Sequence, residues 1–364
     1  MKLKEIITVL ETYAPLAYQE TYDNSGLLVG DREAEVKSAL LTIDVTEAVV
    51  DEALDTGTNL IIAHHPLIFT GIKRLTGNGY TERTIIKAIK NNISIYAAHT
   101  NFDNIKDGVN NAICNKLGLV NRKVLHLLKG NLKKLVTFIP VAHAERVMHA
   151  VFEAGAGAIG EYDQCSFNLN GTGTFRGSEN TNPFAGEKGK LSFENETRFE
   201  TIFPAVIQSK VIKALIEAHP YEEVAYDIYQ LDNFFEKAGS GMIGETPEPV
   251  RGIEFLKNVK QIFGAGIVRH TAVVSEKISR VAVCGGSGSF LIERAINAGA
   301  DIFITGEIKY HEFFNADNKI ILADIGHFES EQFTKDIFYE LLMKNFPNFA
   351  VRLSKVNTNP INYL

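Results

Sequence analysis

Short apolar runs that alternate with helical segments constrain the fold of this chain more than any other feature. Residues 59–63 (NLIIA) and 93–98 (ISIYAA) are almost wholly apolar, which is typical of strands covered on both faces. Between them, residues 80–91 carry apolar side chains at helical spacing. The same alternation resumes over residues 279–344. Strands that alternate with helices predict an α/β fold with a mainly parallel sheet.

The middle of the chain follows a different order of elements. Residues 134–230 show a strand, a helix, two long alternating strands, a helix and a strand, which is the βαββαβ order of ferredoxin-like domains. We therefore predict a ferredoxin-like domain over residues 132–233. It would interrupt a split α/β domain formed by residues 1–131 and 234–364. The Gly- and Pro-rich residues 239–249 would be a junction, after which the α/β alternation resumes.

Charge and cysteine content exclude several classes of function. Lys and Arg total 37 against 44 Asp and Glu, so the chain lacks the basic footprint of nucleic-acid-binding proteins, and no nucleic acid partner is expected. The three cysteines are far apart, which argues against a disulfide framework and fits a cytoplasmic protein. No apolar run approaches the ~18 residues of a membrane helix. The N-terminus lacks the apolar stretch of a signal peptide.

The acidic excess is unevenly distributed. Residues 132–233 hold 9 Lys and Arg against 14 Asp and Glu, so most of the net charge of −7 belongs to the predicted insert. The total charge therefore leaves open whether the rest of the chain has a locally basic surface that could bind nucleic acid.

Residue types that bind metals follow three of the apolar runs. His64 and His65 follow the first run, and His99 and Asp103 follow the second. Residues 326–331 (GHFESE) follow a third run, residues 319–325 (KIILADI). Ligands of open α/β sheets bind beyond the carboxyl ends of the strands, so we expect these residues at one sheet edge. Imidazole together with carboxylate suits zinc, manganese, iron, cobalt or nickel. The alternative is that each histidine is a hydrogen-bonded structural residue.

The number and spacing of these groups predict a two-metal site. His327 and Glu331 are four residues apart and would share one face of a helix that begins near residue 327. His64 and His65 are adjacent at a strand end, where each could bind a different ion. Two ions roughly 3.5–4 Å apart, bridged by a carboxylate or a water, would need such a ligand set.

Other polar segments admit two interpretations. The Gly/Ser turn in residues 281–289 could cradle an anion with its backbone amides, or it could be only a tight turn. Glu307 and His311 could support the ligands or relay a proton, or they could form a helix-start hydrogen bond. Asp44 could reach the sheet edge or only cap the next helix. Asp23 could belong to a simple turn.

The combination of these motifs resembles one protein family. The residues that carry the resemblance are Asp23-Asn24-Ser25-Gly26-Leu27, Ala63-His64-His65-Pro66, His99-Thr100-Asn101-Phe102-Asp103, Thr305-Gly306-Glu307 and Gly326-His327-Phe328-Glu329-Ser330-Glu331. Their combination is similar to the dinuclear-metal-centre proteins, the Nif-like GTP cyclohydrolase 1 type 2 homologues, over residues 1–131 and 234–364. The insert resembles that of longer bacterial members, whose extra domain is similar to the PII signalling and CutA proteins.

The resemblance implies a metal centre and an assembly. It implies two divalent ions per chain, with zinc expected first and manganese, iron, cobalt and nickel as alternatives. It also implies a toroidal homohexamer whose metal sites face an internal cavity. The implied ligands are His64, His65, Asp103, His327 and Glu331.

The function predicted on this basis is metal-dependent hydrolysis. A metal-bridging water or hydroxide would act on a nucleotide-like or phosphoester small molecule, and the family label points to a GTP cyclohydrolase reaction. Asp103 is the candidate bridging carboxylate, and His99, Glu307 and His311 are candidates for supporting the ligands. The alternative is a non-catalytic regulatory or scaffold protein that binds metal and senses a small molecule through the insert.

Overall fold

The computed structural model describes all 364 residues, and the chain folds into two compact units. The first unit contains Met1–Leu127 and Glu236–Leu364, and the second contains Leu128–Phe235. Each unit has a hydrophobic core of its own. None of the helices combines the length and the apolarity that crossing a membrane requires.

The N-terminal part of the first unit alternates helices with short strands. Strands β2, β3 and β4 are buried along their whole length, which explains why the apolar runs lack polar alternation. The elements are α1 (Leu3–Tyr13), β1 (Gly26–Val29), β2 (Ser38–Thr42), α2 (Glu47–Asp55), β3 (Leu60–Ala63), α3 (Tyr80–Lys90), β4 (Ser94–Ala97), α4 (Thr100–Asp103), α5 (Val109–Lys116) and β5 (Val120–Leu127).

The second unit contains four strands and two helices in the order β-α-β-β-α-β. They are β6 (Leu132–Pro140), α6 (Ala144–Glu153), β7 (Ser166–Phe175), β8 (Ser192–Pro204), α7 (Gln208–Ala218) and β9 (Tyr226–Gln230). The strands form one antiparallel sheet in the order β7-β8-β6-β9.

The helices of the second unit pack on one face of this sheet. Phe199 and Phe203 of β8 form a core with Val147 of α6 and Leu215 of α7. Because side chains alternate along a strand, Glu196 and the other even-numbered residues of β8 point to the opposite, open face.

The C-terminal part of the first unit again alternates strands with helices. Its elements are β10 (Gly239–Arg251), α8 (Gly252–Ile262), β11 (Arg269–His270), β12 (Lys277–Cys284), α9 (Ile292–Asn297), β13 (Ile302–Thr305), β14 (Ile321–Asp324), α10 (His327–Glu331), α11 (Thr334–Asn345) and β15 (Ala350–Leu353).

The first unit contains two sheets rather than the single sheet that the sequence suggests. The five-stranded sheet has the order β1-β4-β3-β2-β15, and all its pairs are parallel except that of the edge strand β1. The six-stranded sheet has the order β11-β14-β13-β12-β10-β5, with parallel pairs only among β12, β13 and β14. The α/β class is confirmed, and the strands are mixed in direction.

The prediction of a junction over residues 239–249 is wrong. This segment forms most of β10, which pairs with β5 on one side and β12 on the other. Gly241 serves the close packing of this strand, because a Cβ there would lie 2.7 Å from the Leu291 side chain. The pairing of β10 with β12 is interrupted between Glu245 and Val250, because the two prolines of this segment lie there. Pairing on both sides outweighed the local turn propensity of Gly and Pro.

Candidate metal centre

The polar residues predicted as ligands lie at the carboxyl ends of strands from both sheets of the first unit. His64 and His65 follow β3, and Asp103 ends the short helix α4 after β4. His327 and Glu331 are the first and last residues of α10, which follows β14. The sequence predicts a common edge of one sheet, whereas the structure assembles the cluster from two sheets.

Glu331 lies at the centre of this cluster. Its Oε1 is 3.6 Å from His64 Nε2, and its Oε2 is 2.9 Å from His65 Nε2 and 3.2 Å from His327 Nε2. Asp103 Oδ1 is 3.7 Å from His64 Nε2. The ligand atoms therefore form two groups that share Glu331, one with His64 and Asp103 and the other with His65 and His327, each within 4.8 Å.

Two buried polar atoms of the cluster have no hydrogen-bond partner. They are Nε2 of His64 and Oδ1 of Asp103. His64 Nδ1 lies 2.9 Å from the Ala98 carbonyl oxygen and donates to it, so the lone pair of Nε2 points into the cluster. Leaving such atoms unpaired costs about 1–3 kcal/mol each. A cation between these atoms would satisfy both, so the donor set fits a metal ion.

Two acidic side chains, Asp103 and Glu331, belong to the cluster and perturb each other's ionisation. Burial, together with repulsion from Glu331, raises the pKa of Asp103 to about 8. Burial also opposes ionisation of Glu331, but its electrostatic interactions and hydrogen bonds with the imidazoles of His64 and His327 outweigh burial and hold the pKa of Glu331 well below its ordinary value. Ionising both acids at neutral pH therefore requires a cation between them.

His65 is oriented by a chain of hydrogen bonds. Its Nδ1 lies 2.8 Å from Asp44 Oδ1, and Thr358 Oγ1 donates to Asp44 Oδ2 over 2.7 Å. Burial opposes protonation of His65, but the hydrogen bonds to Asp44 and Glu331 raise its pKa to about 10. Asp44 therefore reaches the site, as one of its two interpretations predicted. Thr358 was missed, since no local pattern marks it.

His99 is held in a similar way by Asp23. His99 Nδ1 lies 2.8 Å from Asp23 Oδ1, and the other oxygen accepts from Ser25 and from the backbone and side chain of Thr100. Burial opposes ionisation of Asp23, but these hydrogen bonds hold its pKa below the ordinary value. The segment that looked like a turn thus positions His99, whose ring nitrogen groups with those of His64 and His65.

The two remaining candidates, Glu307 and His311, have different surroundings in the structure. Glu307 Oε2 lies 3.4 Å from His327 Nδ1, so it can orient this ring. His311 instead packs against the rings of Tyr310 and Phe314. The structure therefore brings Glu307 to the cluster and leaves His311 outside it.

Comparison with known proteins decides the family. The Duf34/NIF3 (NGG1p interacting factor 3) family model matches residues 1–360. This chain belongs to the DUF34/NIF3 family. The resemblance to the GTP cyclohydrolase 1 type 2 homologues is thereby confirmed.

Three relatives match this DUF34/NIF3 chain over its full length. A GTP cyclohydrolase 1 type 2 homolog of Halalkalibacterium halodurans is 39% identical and covers 99% of this chain and 98% of its own. The protein of the same name from Bacillus subtilis is 36% identical, with the same coverage. The crystal structure of a Bacillus cereus protein related to NIF3 has a TM-score of 0.87 and 40% identity, and covers 100% of this chain and 99% of its own.

The Gly/Ser turn after β12 in this DUF34/NIF3 chain has most of its backbone amides paired within the protein. Three amides of residues 285–288 donate over 2.9 Å to the side chains of Asn110, Ser330 and Thr305. Because these amides are already paired, the interpretation as a tight turn is favoured.

The same turn makes room for Glu331. Gly286 has a φ of +60°, and a Cβ there would lie 2.3 Å from Glu331 Oε1 and 3.3 Å from His327 Nε2. Only glycine combines this backbone conformation with this close approach.

A cavity of about 540 Å³ adjoins the cluster of the DUF34/NIF3 chain. Tyr22, Phe69 and Phe290 contribute exposed rings to its lining, and no Lys or Arg side chain lines it. The cavity therefore offers flat apolar surfaces beside a cluster of histidines and carboxylates.

Proposed function

We propose that this protein is a metal-dependent hydrolase whose site holds two divalent cations. The pair of ligand groups that share Glu331 carries the proposal. His64 and Asp103 would hold one cation, and His65 and His327 the other. We assign the bridging role to Glu331 rather than to Asp103, because its two oxygens face the two groups.

The donor set suits zinc, with manganese, iron, cobalt and nickel as alternatives. When bound, such cations act as Lewis acids and activate water for hydrolysis. The protein residues have separate tasks. Asp44 and Glu307 orient His65 and His327, and Asp23 holds Nδ1 of His99, which leaves its Nε2 to exchange a proton with a bound substrate.

The cavity supports a substrate with a flat ring. The rings of Tyr22, Phe69 and Phe290 can stack on a nucleotide-like base beside the ligand cluster. A phosphoester is the second substrate class that a metal pair suits, since two cations can clamp its attacking and leaving oxygens. The relatives carry the GTP cyclohydrolase 1 type 2 homolog name, so GTP is the first substrate to test.

Metal analysis and turnover test this function together. We expect about two ions per chain, and hydrolysis of GTP or bis(p-nitrophenyl) phosphate with added Zn²⁺ or Mn²⁺. The double variant His64→Ala with Glu331→Ala should lose both ions and activity, and Glu331→Gln tests the charge with little change of shape. The exposed His149→Ala is the matched control.

Two results would contradict the proposal. One is fewer than one ion per wild-type chain, with no change in the double variant. The other is full metal loading without turnover of either substrate class, which would favour a metal-binding regulatory role.

We also infer that the second unit is an inserted ferredoxin-like domain. Its element order β-α-β-β-α-β supports this assignment, as does the sheet order, in which its fourth, first, third and second strands are neighbours.

A further inference from the structure

The second unit contains a cavity of about 610 Å³ that none of the preceding functions uses. Its floor is the open face of the sheet, with Phe138 of β6 and Glu196 and Arg198 of β8. Its walls come from residues 175–185 and 221–225. The backbone N–H of Asn182 donates to Glu222 Oε2 over 2.8 Å and so joins the two walls.

Glu196 is a buried carboxylate without a cationic partner. It is 8% exposed, and its Oε1 accepts a hydrogen bond of 2.7 Å from the Tyr221 hydroxyl. Two arginines, Arg176 and Arg198, also line the cavity, but neither forms an ion pair with Glu196, and Arg198 is bound to Glu200 over 2.8 Å. A buried Glu is rare unless it is paired with a cation. A bound cation would therefore stabilise this carboxylate.

The second carboxylate oxygen lies over a glycine. A Cβ at Gly173 would lie 2.0 Å from Glu196 Oε2. Gly171, which pairs with Glu196 across the strands, also lines the cavity. The carboxylate therefore occupies the space above Gly173, whereas the space above Gly171 is open, because a Cβ there would have no atom within 4 Å.

Aromatic rings surround this space. The Tyr221 ring centroid lies 6.2 Å from that of Phe175 and 6.1 Å from that of Phe184, and all three rings line the cavity with Phe138. Aromatic faces attract cations and bury flat apolar groups. A carboxylate that shares a cavity with such rings selects for positive charge on an apolar body.

We propose that this cavity binds an organic cation, namely a protonated amine carried on a flat apolar ring system. The ammonium group contacts Glu196, and the ring lies among Phe138, Phe175 and Phe184. The site is distinct from the metal centre, and ligand binding to it requires no metal.

Indole compounds provide a matched set of probes. Tryptamine, tryptophol and indole-3-acetate share one ring and differ in side-chain charge, which is positive, neutral and negative. The chain contains no tryptophan, so the indole emission reports the probe alone. The fluorescence anisotropy of each probe, titrated with the metal-free full-length chain, gives its affinity.

We expect tryptamine to bind about tenfold more tightly than tryptophol, and indole-3-acetate to bind least. Glu196→Gln should abolish the preference for tryptamine, whereas Glu194→Gln should not, since Glu194 lies two residues away on the same strand and outside the cavity lining. Phe184→Ala should weaken both tryptamine and tryptophol. The exposed Phe193→Ala outside the lining should weaken neither.

Three results would overturn the proposal. They are the absence of saturable tryptamine binding, equal affinity for tryptamine and tryptophol, and an unchanged preference in a Glu196→Gln variant whose circular dichroism and Tm match the wild type. A failure of the metal centre to hydrolyse anything would leave these measurements unaffected.

Discussion

At the scale of single residues, Glu331 and its neighbours concentrate the chemistry of this protein. Glu331 is 2% exposed, yet it contacts three histidines and belongs to both ligand groups. Its position depends on Gly286, a residue that no chemical argument would select. The site is therefore as sensitive to added volume as to lost charge.

Gly286→Ala should weaken metal binding at least tenfold. The new Cβ would stand 2.3 Å from Glu331 Oε1, and the positive φ adds strain of about 1–2 kcal/mol. Gly118→Ala is the matched control, because its φ is +66° and a Cβ there would have no atom within 4 Å. Gly286→Ala should lower both the Zn²⁺ affinity, measured by calorimetric titration, and the Tm. Gly118→Ala should lower only the Tm. Equal metal affinity in the two variants would contradict the role of Gly286.

The metal-free protein should lose stability as pH rises from about 6.5 to 10. Folding raises the pKa of His65 from its ordinary 6.5 to about 10, so the folded state binds more protons in this range and its advantage is lost as pH rises. Asp103, whose pKa is raised to about 8, adds to the loss up to that pH. With Zn²⁺ the trend should reverse, because metal binding requires deprotonated ligands. The measurement is Tm against pH, with chelator and with Zn²⁺, and a chelated Tm that rises over this range would contradict it.

At the scale of secondary-structure elements, the ligands lie at or just after strand ends. A C-terminal segment without regular structure supports one of them through hydrogen bonds. The residues after β3, β4 and β14 form the cluster, while Thr358, in the segment after β15, donates a hydrogen bond to Asp44. The C-terminal segment is thus part of the site's support.

Removing this support should weaken metal binding in graded steps. Asp44→Asn should reduce the affinity by about 10- to 100-fold, as is typical of residues that orient a metal-bound histidine. Thr358→Val removes only the hydroxyl that holds Asp44, so a smaller loss, about threefold, is expected. Thr8→Val is the control, because its hydroxyl binds only Lys4 of its own helix. A Thr358→Val affinity equal to the control would show that the C-terminal segment does not support the site.

At the scale of the whole molecule, the two units carry separate sites. All proposed metal ligands and their supports lie in the first unit, and the entire lining of the 610 Å³ cavity lies in the second. Strand pairing also places Leu127 opposite Gly239, so the two ends of the interrupted unit meet. The homohexamer that the family resemblance implies stays a prediction.

Replacing residues 128–235 with a short Gly/Ser linker should leave the metal centre intact. The linker has little distance to span, because Leu127 and Gly239 are paired across adjacent strands. We expect wild-type metal content in the shortened chain and complete loss of tryptamine binding. A shortened chain that folds, as judged by circular dichroism, but binds no metal would show that the second unit contributes to the metal centre.

The sequence by itself determined the α/β class, the places where strands end and the residue types that follow them. These features follow from local periodicity, because a buried strand needs an apolar run and its end exposes polar groups. The four-residue spacing of His327 and Glu331 likewise anticipated one helical turn in α10.

Only the tertiary structure decided that two sheets share the first unit, that residues 239–251 are a strand, and that Glu331 belongs to both ligand groups. It alone decided between the two interpretations of Asp44, and it alone revealed the role of Thr358 and the buried Glu196 that lacks a cationic partner. The physical reason is that these features depend on contacts between residues far apart in the chain. Pairing partners, buried voids and unmet charges do not exist until distant segments pack together.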